Sequence, residues 1–337
     1  MHYIKQISQL LAFSLFFCAC KDNIENRTDD KRKDTSEQTL IVDKPVFNAD
    51  SAYFYIEKQV SFGPRVPGTI AQKNCAAWME RKLTEFCDTV YVQSTKVKAG
   101  DGTMLPCINL VGAINPAASH RILLLAHWDS RPWADRDIKD QNKAIVAADD
   151  GASGVAVLIE LARQLQTKPL PPNLGIDILL TDVEDYGKTE WGDDSYALGT
   201  QYWARTPHIP GYTASFGILL DMVGARGARF PMEGISTQYA SNIQQQIWRA
   251  AGTAGYSSYF PFEAGPSITD DHVFVNQIAK IPTVDIINLP SNSQTAFAQH
   301  WHTHDDDMNV IDRNTLKAVG ETLLQLIYEI AQENVAS

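Results

Sequence analysis

No two cysteines stand in a CxxC spacing, and the five present, at positions 18, 20, 75, 87 and 107, follow no regular interval. A structural zinc ribbon and a dense disulfide framework are thereby excluded. There is no cluster of Lys and Arg interleaved with aromatics, and 29 Lys+Arg face 40 Asp+Glu for a formal net charge of −11. Such a chain offers no electrostatic footprint for phosphate backbones, so nucleic acid is not an expected partner. Gly (20) and Pro (16) are close to background and hydrophobic residues make up 44%, which excludes collagen-like, low-complexity and wholly disordered chains. The apolar run at 10–17 is about eight residues long, too short to span a bilayer.

That run instead fits an export signal, with Lys5 as the positive start and Phe17-Cys18-Ala19-Cys20 as the processing site. Small Ala19 before Cys20 resembles the lipobox of bacterial lipoproteins, which implies a signal peptide over 1–20 and lipidation of Cys20. Residues 21–39 carry eleven charged side chains in nineteen positions and no aromatic, too little apolar surface to fold, so 21–40 is expected to be a charged, disordered tether. The expected location is the bacterial outer membrane, exported and lipid-anchored, on the periplasmic face. The membrane is reached through the lipid only, and a monomer is expected. Cys75 and Cys87 fall on one predicted helix, too far apart to pair, which leaves a bridge from either of them to Cys107 open.

From residue 41 to 337 no second linker or internal repeat interrupts the alternation of strand-like and helix-like segments. The patterns predict strands over 90–97, 108–113, 121–126, 174–180, 216–220 and 283–287, and helices over 52–60, 71–86, 155–165, 242–251 and 316–330. The first two strands, joined across a Gly-Asp-Gly turn, predict a hairpin. Later strands such as Ile122-Leu123-Leu124-Leu125 are apolar throughout and alternate with helices. The expected fold is a single α/β domain whose central, mixed, mostly parallel twisted sheet is flanked by helices on both faces. Ligands bind beyond the carboxyl ends of such strands.

Polar groups gather there. His127 and Asp129 follow the third strand, Glu184 and Asp185 the fourth, and Asp221 the fifth. Asp149-Asp150 opens a helix, and late loops carry Asp270-Asp271-His272 and His300-Trp301-His302-Thr303-His304. Any one Asp could be an N-cap or a turn former, but five such groups arriving at strand ends together point to a functional cluster. Mixed His and carboxylate donors without thiols suit a catalytic zinc. Asp135, Asp137 and Asp140 lack the Gly and closing Glu of a calcium loop, so a solvated loop is expected. Phe62-Gly63-Pro64-Arg65 reads as a structural turn rather than a catalytic use of Arg65.

F-G-P-R-V-P-G (62–68), A-H-W-D-S (126–130), A-D-D-G-A-S-G (148–154), L-L-T-D-V-E-D (179–185), L-L-D-M-V-G (219–224), T-D-D-H (269–272) and W-H-T (301–303) occur here in this order. By these motifs the chain resembles the zinc-dependent glutaminyl-peptide cyclotransferases, relatives of zinc aminopeptidases. The resemblance implies one zinc per chain held by Asp150, Asp185 and His302, with Glu184 as proton shuttle. It also implies that Asp221 and Asp271 orient the substrate amine and that Trp191, Trp301 and Phe297 wall a narrow glutamine pocket. Spacing does not choose among His300, His302 and His304; the W-H-T match selects His302. Asp185 stands where the animal enzymes carry glutamate, and a shorter carboxylate still ligates if its backbone comes closer. The implied activity converts N-terminal glutamine of peptides and proteins to pyroglutamate, an acyltransferase reaction releasing ammonia. The substrate α-amine titrates near 7.7 to 8.0 and needs a base, a task Glu184 can perform. His127 would be the remnant of a second metal position. The competing reading is a two-zinc aminopeptidase using His127, Asp150, Asp185, Asp221 and His302. A binding lipoprotein without chemistry is disfavoured because Glu184 and every ligand candidate are present.

Overall fold

The computed structural model describes residues 42–336; the expected signal peptide, the expected lipidation of Cys20 and the expected tether all lie outside them. Six strands form one sheet in the order β1-β2-β4-β3-β5-β6. They are β1 Thr89–Lys98, β2 Met104–Ile114, β3 His120–His127, β4 Leu174–Thr181, β5 Phe216–Asp221 and β6 Thr283–Ile287. The first two pair as an antiparallel hairpin and β2 pairs antiparallel with β4, while β4, β3, β5 and β6 run parallel. The mixed, mostly parallel sheet is thus as expected, and each predicted strand lies within an observed one.

Side chains alternate across the sheet, as a period of two requires. Ile122, Leu124 and Ala126 of β3 enter the larger core, and Leu123 and Leu125 enter a smaller one on the other face. Burying each Leu or Ile contributes about 1.5–3 kcal/mol, so neither face tolerates a register slip. On the first face lie α1 Ala49–Val60, α2 Ile70–Phe86, α3 Ala152–Thr167, α5 Gly234–Thr253 and α7 Arg313–Ala336. On the second lies α4 Leu198–Arg205, whose fully buried Trp203 packs with Leu179 and Leu219. Asn48 and Thr69 cap α1 and α2 by accepting from the N–H of Ser51 and Gln72.

Two short elements escape the sequence pattern. These are α4, with a mixed LGTQYWAR sequence, and α6 Asp271–Phe274, a single turn. The open disulfide is closed by the geometry: Cys75, Cys87 and Cys107 are all free, and Cys75 and Cys107 are fully buried. Arg65 is a structural clamp, donating to the carbonyl oxygens of Trp128, Val146 and Ala147. Among the described residues no helix is long and apolar enough to cross a membrane.

Candidate active site

The strand ends deliver the polar cluster through strained backbone. Val183 (φ 57°) precedes Glu184, Met222 (φ 49°) follows Asp221, and His302 itself has φ 58°. A left-handed backbone at non-glycine residues costs about 1–3 kcal/mol each and persists only where the surroundings enforce it. Gly151 (φ 100°) turns the chain from Asp150 into α3, and a Cβ there would stand 2.7 Å from the Asp129 carbonyl oxygen and 2.9 Å from His127 Cε1. Only glycine meets both demands.

Asp150, Asp185 and His302 offer three ligand atoms within 4.8 Å of one another, all buried. His302 Nε2 stands 3.3 Å from Asp185 Oδ1 and 3.8 Å from Asp150 Oδ2. Asp185 Oδ2 is buried with no hydrogen-bond partner, a vacancy in bonding that a cation satisfies far better than apolar surroundings. Two carboxylates and an imidazole are a donor set for zinc. A second group, His127, Asp150 and Asp221, shares Asp150. His127 Nε2 lies 3.0 Å from Asp150 Oδ1 and 3.2 Å from Asp221 Oδ1, and its Nδ1 lies 3.5 Å from Asp129 Oδ1.

Around these donors stands a supporting shell that the sequence does not announce. Arg131 Nη1 donates to Asp185 Oδ1 at 2.8 Å, and the same guanidinium takes Asp135 at 2.7 and 2.8 Å. Asp135 lies 3.4 Å from His302 Nδ1 and its side chain is 43% exposed, so the solvated loop expected here also carries a residue beside the donor group. Asp137 holds His304, and Asp140, on the surface, pairs with Lys143. Asp129 accepts the N–H groups of both Glu184 and Asp185, and Asp306 accepts those of Asp149 and Asp150. His300 is bound to Asp149 at 2.9 Å, which removes it as a ligand competitor.

A cavity of about 490 Å³ opens beside the cluster, lined by Glu184, Asp221, Asp270, Tyr196, Phe297 and Trp301 among others. Phe297 stacks on Trp301 at 4.3 Å, and Trp301 on His302 at 3.7 Å. Two expected residues are elsewhere. The turn Thr189–Trp191, closed by Gly192 (φ 88°), folds Trp191 back against Gly100 of the hairpin turn and onto Tyr186 and Trp133. Thr189 and Tyr196 of that loop reach the cavity instead. Asp271 begins α6 and turns inward to accept the hydroxyl of Thr181 at 2.9 Å, leaving the cavity wall to Asp270.

Burial raises the Glu184 carboxyl well above the ordinary glutamate range, opposed by His127 and reinforced by Asp185, Asp270 and Asp271. Burial likewise pushes Asp221 up to about 7, opposed by its hydrogen bond to His127. Behind Asp270 lies His272, fully buried between Glu233 (3.2 Å) and Asp285 (3.7 Å). Burial would raise Glu233, but His272 and the N–H groups it caps at the start of α5 hold it at about 2.

Residues 109–327 match the model of peptidase family M28. A solved Bacteroides thetaiotaomicron glutaminyl cyclase bound to N-acetylhistamine is 46% identical, with a TM-score of 0.82 over 85% of this chain and 99% of that one. A solved Zn-dependent exopeptidase from Parabacteroides distasonis is 48% identical, with the same TM-score and coverage. The glutaminyl-peptide cyclotransferase of Gloydius blomhoffii is 27% identical over 253 residues, 66% of this chain. The present chain spans 65% of that relative's length. With the zinc-type donors gathered at the strand ends and near-half identity to solved relatives over their whole length, this chain belongs to peptidase family M28.

Proposed function

We infer that the protein is a glutaminyl-peptide cyclotransferase acting on peptides and proteins with N-terminal glutamine, with one zinc per chain. The observation that carries this reading is the placement of Glu184 in the wall of an aromatic-sided cavity, beside but outside the Asp150, Asp185 and His302 donor group. The stacked Phe297 and Trp301 suit a flat amide side chain, and they close the pocket on the side of His302. When bound, zinc supplies Lewis-acid polarisation of the side-chain amide carbonyl. Glu184 takes a proton from the α-amine as its nitrogen bonds to the amide carbon, then gives it to the amide nitrogen, which leaves as ammonia. Asp221 and Asp270, at the same wall, hold the amine by charge and hydrogen bonds and titrate with Glu184 as a group.

One observation favours the aminopeptidase reading: His127, Asp150 and Asp221 form a second donor group. The carboxylates of Asp150 and Asp221, at 3.0 and 3.2 Å, nevertheless give His127 Nε2 partners without a second ion. A paired assay decides. Zinc analysis of the purified domain is expected to find about one ion per chain, with pyroglutamate formed from a Gln-peptide and no leucine released from Leu-amide. Two tightly held zincs, both needed for leucine release, would establish the aminopeptidase instead.

The export signal, the tether and the lipid on Cys20 belong to the same reading, which makes the enzyme a monomer tethered to the periplasmic face of the outer membrane. Cys20→Ser should release activity from the membrane fraction and abolish fatty-acid labelling. Retained labelling would move the lipid to another residue.

A further inference from the structure

Next to the catalytic cavity lies a second cavity of about 810 Å³. The two share Arg136, Gln294, Thr295, Phe297 and Trp301, so one opens into the other across the stacked aromatic pair. Their charges are opposite. The catalytic cavity carries six carboxylates, from Asp150, Glu184, Asp185, Asp193, Asp221 and Asp270. The second carries Arg136 and Arg226 and no carboxylate at all, in a chain of net charge −11.

Neither guanidinium is neutralised by a carboxylate among the described residues. Among the described residues Arg121, Arg131, Arg163, Arg229 and Arg313 each pair with a carboxylate; Arg136 and Arg226, both exposed, do not, and of the arginines without a carboxylate partner these two line the cavity. The third titratable group of the second cavity, His300, is held by Asp149 at 2.9 Å. The main-chain N–H of Arg136 donates to the His302 carbonyl at 3.2 Å, and its exposed side chain lays the guanidinium 5.1 Å from the Trp301 ring centroid. It stands at the threshold between the cavities, beside the pocket wall. A peptide whose amino end lies among the carboxylates must send its following residues outward, at about 3.3 Å per residue when extended. The shared rim of Phe297 and Trp301 leads that chain toward the two arginines.

We propose that the second cavity is a substrate subsite for a carboxylate side chain, so that the preferred substrates are N-termini in which glutamine is followed, within the next few residues, by Asp or Glu. The subsite rests on the cyclotransferase reading and names its substrate class. Guanidinium groups bind carboxylates with two aligned N–H donors, and the acidic cavity beside it repels the same side chain, which fixes the direction of binding.

The test is steady-state cyclisation by the zinc-loaded enzyme of Gln-Ala-Ala-Ala-Ala-amide and of four peptides with a single Glu at position two, three, four or five. One position should raise kcat/KM by about threefold to tenfold, through KM and less so at high salt, as partly exposed ion pairs do. Arg226→Glu should abolish or invert that preference while turning over Gln-Ala-amide, too short to reach the arginine, at the wild-type rate. Equal kcat/KM for all five peptides, or a preference surviving Arg226→Glu, overturns the subsite and leaves the cyclotransferase reading standing. Absence of pyroglutamate from every peptide overturns that reading, and the subsite with it.

Discussion

Glu184→Gln should lower turnover of glutaminyl peptides by about 10²- to 10⁴-fold, the range for losing a general acid–base, while zinc content stays at the wild-type level. The substitution keeps size and hydrogen-bonding shape but cannot accept and return a proton. Glu184 sits in the cavity wall and is no member of the Asp150, Asp185 and His302 group, so the metal should not notice. Its backbone N–H remains bound to Asp129 Oδ1 at 3.0 Å, so the loop should keep its path. The amide also removes an ionisable carboxyl from beside Asp185, Asp270 and Asp271, and stability should hold or rise slightly. Metal analysis, a thermal melt and single-turnover kinetics on one preparation check all three. If Glu184→Gln loses zinc while Asp185→Asn keeps it with crippled turnover, the roles of the two neighbours are exchanged.

What the sequence makes legible here follows from the length scale of each signal. The parallel strands are buried on both faces, so their apolar runs are unmistakable, and a helix such as α7 shows one apolar stripe from Leu316 through Val319, Leu323 and Leu324 to Ile327, although the fold buries Thr322 and Gln325 between them as well. A single turn such as α6 has no period to detect. Functional residues divide in the same way. Asp150, Glu184, Asp185 and Asp221 follow directly from strand or helix ends, where the backbone direction is already set by the sheet. Asp271 and Trp191 sit where it is not. Asp270 is extended (φ −155°) while Asp271 opens a helix, so neighbouring carboxylates diverge, one to the cavity and one to Thr181. Arg131 and Asp135 carry no sequence signal, because their importance lies in a long-range meeting with Asp185 and His302.

Asp185→Ala is expected to lose both the zinc and the activity, since it removes one of three protein donors and metal affinity in such a site depends on ligand count. It should also destabilise the apoprotein, for a reason outside metal chemistry. Arg131 is buried to 1% exposure and pairs Asp185 at 2.8 Å; removing one partner of a buried ion pair costs about 3–5 kcal/mol because the remaining charge is stranded. Asp135 still holds the other edge of the guanidinium, which moderates the loss toward the lower figure. The two effects separate with Asp185→Asn, whose side-chain oxygen still accepts from Arg131 but carries no charge for the ion. That variant should bind zinc weakly while the zinc-free protein melts closer to wild type than zinc-free Asp185→Ala does. Stoichiometric zinc in Asp185→Ala would strike Asp185 from the donor set and shift the site toward His127, Asp150 and Asp221, the second group that shares Asp150.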